Sequence, residues 1–66
     1  MPKRLLTIDE LCEYINVKKN TVYSWVHMRQ IPHVKLGHLV RFKVDDIDKW
    51  IEKKRVKVFN YRNIEV

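Results

Sequence analysis

The chain has 66 residues, 14 Lys and Arg against 8 Asp and Glu, and a formal charge of +6, which suits one small domain spanning 1–66 and excludes a multidomain enzyme. Apolar residues make up 45% of it, with one Gly and two Pro, a balance that reads as a folded chain without linkers or repeats. A single cysteine excludes an internal disulfide and suits a reducing cytoplasm, no apolar run approaches the ~18 residues of a membrane span, and the positive balance points to a polyanion, nucleic acid first.

The opening Met1-Pro2-Lys3-Arg4-Leu5-Leu6 starts as a signal peptide would, but Thr7-Ile8-Asp9-Glu10 interrupts it after two apolar residues. That same tetrapeptide is a T-x-x-E capping box, with Leu6 and Leu11 placed as a hydrophobic staple, and predicts a helix from about Ile8. Its inward face is Ile8, Leu11, Cys12 and Ile15. Asn16 tolerates left-handed dihedrals and sits where the helix must stop, with Val17, Lys18 and Lys19 as a tight link. A second helix begins near Lys19, carries Val22, Trp25 and Val26 on one stripe extended by Arg29, and ends before Ile31-Pro32. Opposite that stripe lie Asn20, Ser24 and His27, flanked by Thr21, Tyr23 and Met28: a polar, nearly uncharged face.

From His33 to Lys43 the pattern alternates around Gly37, as in a hairpin. A two-residue Gly37-His38 turn would pair Val34 with Arg41 and mix apolar and charged side chains on each face. A three-residue loop or one-residue bulge pairs Leu36 with Val40 and Val34 with Phe42, leaving His33, Lys35, Arg41 and Lys43 on a basic outer face with Leu39 at the tip. That second register is the expected one. Asp45 is expected to cap a third helix with Asp48 at N3, and Ile47, Trp50 and Ile51 to form its buried stripe. Lys53, Lys54 and Arg55 suit its negative end. Beyond the core of about 5–55, residues 56–66 are apolar and β-branched enough to suggest a short extended segment.

The predicted fold is therefore mostly α with a small β-hairpin wing: helix, turn, helix, two-stranded wing, helix. Over about residues 5–53 the sequence resembles the small excisionase and MerR-like family of winged helix-turn-helix modules. The resemblance rests on Leu6-Thr7-Ile8-Asp9-Glu10-Leu11, Asn20-Thr21-Val22-Tyr23-Ser24-Trp25, Ile31-Pro32, Leu36-Gly37, Arg41-Phe42 and Asp46-Ile47-Asp48-Lys49-Trp50-Ile51. It implies binding to duplex DNA, with the second helix in the major groove and the wing on an adjacent minor groove, and assembly of neighbouring copies on direct repeats. Asn20, Thr21 and Tyr23 match the family's helix positions and Arg41 its wing. Ser24 stands where relatives often carry a basic residue, Asn16 replaces the turn glycine, and Lys18 replaces the serine cap.

The residues themselves say how such contacts would work. Lys18 and Lys19 put two positive charges at the positive end of a helix dipole with no side-chain oxygen to cap it, an arrangement that a phosphate would favour; the alternative is plain solvated charge. Asn20 suits the N6 and N7 edge of adenine or, alternatively, a capping role. Ser24 and His27 can read bases, and Thr21 or Tyr23 can touch a thymine methyl or a phosphate. With no arginine facing the groove to read guanine, the expected site leans towards A·T. On the wing, Lys35, Arg41 and Lys43 supply phosphate or minor-groove contacts, with His38 or Leu39 at the tip; a solvated face is the competing reading. Trp25 and Trp50 lie on core stripes. Cys12, His27, His33 and His38 lack metal-ligand spacing, and no acid pair, nucleophile motif or phosphate loop is present, so no catalytic residue, metal or cofactor is expected.

The functional expectation is a cytoplasmic, non-enzymatic, sequence-specific DNA-binding protein of the excisionase type. It would bind cooperatively and bend DNA beside an integrase or recombinase, with residues 56–66 or the acidic Asp9, Glu10 and Glu13 face as the contact between copies. Two alternatives remain: a small MerR-like transcription regulator, and a protein-interaction module whose basic face is incidental.

Overall fold

The computed structural model describes residues 4–56. Chain order is β1 (Leu5–Leu6), α1 (Ile8–Ile15), α2 (Lys19–His27), β2 (Val34–Leu36), β3 (Leu39–Lys43) and α3 (Val44–Lys53). The helix-turn-helix with a wing and a closing helix is the expected fold class, and β1, which pattern reading did not anticipate, enlarges the wing to a three-stranded antiparallel sheet in the order β1-β3-β2. The expected extension beyond the third helix lies, from residue 57 onward, outside the described residues; Val56 is exposed.

The capping box starts α1 as its sequence requires. The Glu10 amide donates to Thr7 Oγ1 at 3.2 Å, and the Thr7 amide donates to Glu10 Oε1 at 3.0 Å. Asn16 ends the helix at φ 59°, ψ 52°, and its amide donates to the Cys12 carbonyl, as does that of Val17 at 3.1 Å. The turn is then only Asn16, Val17 and Lys18, so α2 starts at once. Its far end is a second left-handed cap. Arg29, expected to extend the apolar stripe, instead adopts φ 57° just past the end of α2 and is exposed. Its amide donates to the Val26 carbonyl at 3.0 Å and that of Gln30 to the Trp25 carbonyl at 2.8 Å, the two bonds of a Schellman motif.

The core takes one buried residue from each of six segments. Leu6 from β1, Leu11 from α1, Val22 from α2, Ile31 from the following loop, Phe42 from β3 and Ile47 from α3 are buried together, with Ile8, Cys12, Ile15, Trp25, Val26, Val40 and Trp50 packed around them. β2 contributes no fully buried residue, and this fixes the hairpin. The observed register pairs Val34 with Arg41, Lys35 with Val40 and Leu36 with Leu39 around a two-residue Gly37-His38 turn, not the three-residue loop expected from sequence. Val40 and Phe42 reach the core from β3 alone, so Lys35 can share their face at the open edge without being buried. Gly37 at φ 66° supplies the positive dihedral that opens a type II′ turn. Consequently Arg41 and Lys43 share a face with Val34, Leu36 and Leu39, while Lys35 lies on the other; the wholly basic outer face does not form.

The third helix also begins differently. It starts at Val44, with Lys43 at the cap position and no side-chain cap bond, rather than after an Asp45 cap. The reason is β1: the Val44 amide donates to the Arg4 carbonyl at 3.0 Å, so that amide already has its acceptor. Asp45 and Asp46 lie in the first turn, where the helix dipole favours them, and Asp48 accepts a 2.6 Å hydrogen bond from Tyr14 Oη instead of serving the cap. Ile51, placed on the buried stripe by its spacing, is 40% exposed, because that stripe is covered only as far as Trp50.

Candidate nucleic-acid interface

The start of α2 has the unusual polarity that its sequence announces. Lys18 makes no side-chain cap bond, and both Lys18 and Lys19 are exposed. Lys19, however, is engaged: its Nζ lies 2.8 Å from Asp9 Oδ1 on the first turn of α1. Hydrogen bonding to Asp9, reinforced by the carboxylate charge, raises the Lys19 pKa above its usual 10.5. A phosphate arriving at this helix end therefore meets Lys18, which has no ion-pair partner among the described residues, and Lys19, which already has a carboxylate partner.

Along α2, Asn20, Tyr23, Ser24, His27 and Met28 are exposed and Thr21 is half-buried, as the helical wheel predicts. What the wheel does not show is the relation of this face to the wing. Lys19 and Tyr23 from α2 and His38, Leu39 and Arg41 from the wing line one cleft of about 340 Å³, with Asp9 on its wall. The cleft joins the first half of the second helix to the hairpin tip, two surfaces separated by more than ten residues of chain. Arg41 is only half-exposed, and its Nη1 donates to the Val40 carbonyl at 2.9 Å, which draws the guanidinium along the ribbon.

The remaining candidates are dispersed. Lys18, Asn20, Ser24 and His27 stay on the open helix face, Lys35 sits on the opposite ribbon face from Arg41, and Lys43 pairs with Leu5 at the far end of β3, away from the tip. Sequence reasoning missed two participants. Asp9 reads as an acidic surface residue until α1 and α2 are seen to start side by side. Leu36 reads as an inward residue until the register turns it outward, where it is 49% exposed beside Leu39.

At the other end of α1 and α2 lies a larger, apolar groove. Trp25 and Trp50 meet there edge to face with centroids 5.4 Å apart, the Trp50 indole donates to the Gln30 carbonyl at 3.0 Å, and Lys54 sits 5.6 Å over the Trp50 ring. Both tryptophans are thus committed to packing. Tyr14 borders the same groove.

A family profile described as "Helix-turn-helix domain" matches residues 5–55. The chain belongs to that helix-turn-helix domain family. The matched span contains every described element, including the wing and α3, and membership of the family supports duplex DNA binding. No curated protein and no solved structure matches the chain. Among the described residues of this helix-turn-helix protein, no helix is long and apolar enough to cross a membrane.

Proposed function

We propose that this helix-turn-helix protein is a non-enzymatic, sequence-specific duplex-DNA-binding protein of the excisionase type, which bends its site and assembles with further copies and a recombinase. The observation that carries the reading is the cleft shared by the start of α2 and the wing tip, because it lets one rigid unit contact two adjacent grooves. In this reading α2 enters the major groove, where Asn20 reads an adenine edge, Ser24 and His27 reach neighbouring bases, and Thr21 and Tyr23 contact a thymine methyl or backbone. Lys18, Lys35, Arg41 and Lys43 neutralise phosphates, and Lys19 joins them by exchanging Asp9 for a phosphate oxygen. The uncharged reading face favours A·T-rich sites.

A domain this small covers little DNA, so its specificity is modest alone and rises when copies bind side by side. The test is the double substitution Asn20→Ala and Ser24→Ala. Both side chains are exposed, so the fold is expected to survive and sequence preference to vanish while weak, salt-sensitive binding remains. Unchanged preference in the double variant removes α2 from base reading. Binding without bending moves the reading to a transcription regulator on the same surface.

A further inference from the structure

We infer that Leu36 and Leu39 form an apolar wedge that enters the minor groove at one base step and kinks the duplex, an inference that rests on the duplex-DNA reading above. The starting observation is the register. Leu36 and Leu39 are direct cross-strand partners that close the Gly37-His38 turn, and they are 49% and 53% exposed. Neither is needed by the core, to which the wing sends Val40 and Phe42 from its other face. Polar β-formers would serve the hairpin equally well there, so two leucines make physical sense when something covers them.

Charge identifies the cover. Arg41 shares the outward face with the two leucines, Lys35 is next to Leu36, and Lys19 lies across the cleft from Leu39, with Asp9 the one acidic side chain lining it among the described residues. A second copy of a chain with net charge +6 would bring like charge to this tip, whereas DNA brings phosphates. Width then decides how the wing enters. Two strands about 4.8 Å apart, with their side chains, do not lie flat in a minor groove about 6 Å wide. Only the turn and its closing pair can enter, led by apolar side chains that cannot hydrogen-bond base edges but can replace a stacked neighbour. Insertion is easiest at a flexible pyrimidine–purine step, so the wedge predicts a TA or CA/TG preference at a position that α2 never touches.

The experiment uses the full chain and its Leu36→Thr/Leu39→Thr variant, whose threonines retain β-propensity, on a duplex of about 30 base pairs with A·T-flanked TA steps. End-to-end fluorescence transfer reads bending, 2-aminopurine at each step reads unstacking, and anisotropy reads affinity on the same samples. The wild type is expected to kink the duplex by about 20–90° and to brighten 2-aminopurine at one step. The variant is expected to lose both signals while its affinity falls by less than about tenfold. A variant with unchanged circular dichroism that still bends and unstacks DNA overturns the wedge, as does one that loses all binding. Absence of duplex binding by the wild type overturns the DNA reading itself, whereas binding by the wild type without bend or unstacking overturns the wedge and the bending role but leaves duplex binding standing.

Discussion

Three side chains show how local physics shapes this small protein. Arg29 occupies a left-handed conformation at φ 57° where glycine is usual, and a Cβ there costs about 1 kcal/mol. Arg29→Gly is therefore expected to raise thermal stability by roughly 0.5–1 kcal/mol, read as a higher melting temperature; an unchanged or lower value contradicts the strain argument. Asp9 holds Lys19 in the cleft and adds negative charge where DNA would approach. Asp9→Asn should tighten duplex binding several-fold at low salt, with the gain shrinking as screening grows, and a titration of both proteins at two salt concentrations checks it. Tyr14 donates to Asp48; that bond, then partial burial and the charges of Asp48 and Asp45, raise its pKa above 10.0. Because the folded value lies above the unfolded one, the stabilisation is fully present below about pH 10 and is lost as pH rises through the folded value. Alkaline titration followed by tyrosinate absorbance should show a late-ionising component that Tyr14→Phe removes.

At the scale of elements, what could be read from sequence and what could not divide along a physical line. The start of α1 was legible because Thr7 and Glu10 satisfy each other's amides within four residues, and its end because Asn16 is a side chain that accepts a left-handed backbone. Both features are local. The hairpin register was not legible, because it depends on which strand faces the core, and segregating apolar from basic residues assumed that β2 and β3 are buried equally. They are not: Phe42 is fully buried and β2 has no buried residue. The same long-range contact misplaced the start of α3, since only the pairing of β1 with β3 reveals that Arg4 accepts from the Val44 amide. Two residues of strand carry no periodicity to detect. Of the candidate site, the helix face was legible from its 100° spacing, whereas the placing of Tyr23 and the wing tip on one cleft, the Asp9–Lys19 pair and the outward Leu36 all depend on tertiary placement. The unequal burial also sets a contrast. Phe42→Ala removes the largest core side chain and is expected to cost about 3–5 kcal/mol. That is comparable to the whole stability of a domain this size, so circular dichroism should show a largely unfolded chain.

For the molecule as a whole, one buried residue from each of six segments holds together a unit whose proposed functional surface is the cleft lined by α1, α2 and the wing. That economy limits both affinity and specificity for a single copy, which is why cooperative assembly belongs to the proposed function. The central claim is that this seam reads duplex sequence rather than only attracting phosphate. It is tested most directly by selecting bound sites from a random duplex library with the purified protein at low and moderate salt. Enrichment of a short A·T-leaning motif, repeated in one orientation at fixed spacing, is expected, with a log–log salt slope of roughly −4.5 for about five neutralised phosphates. Binding that enriches no motif and fades uniformly as salt rises would contradict it.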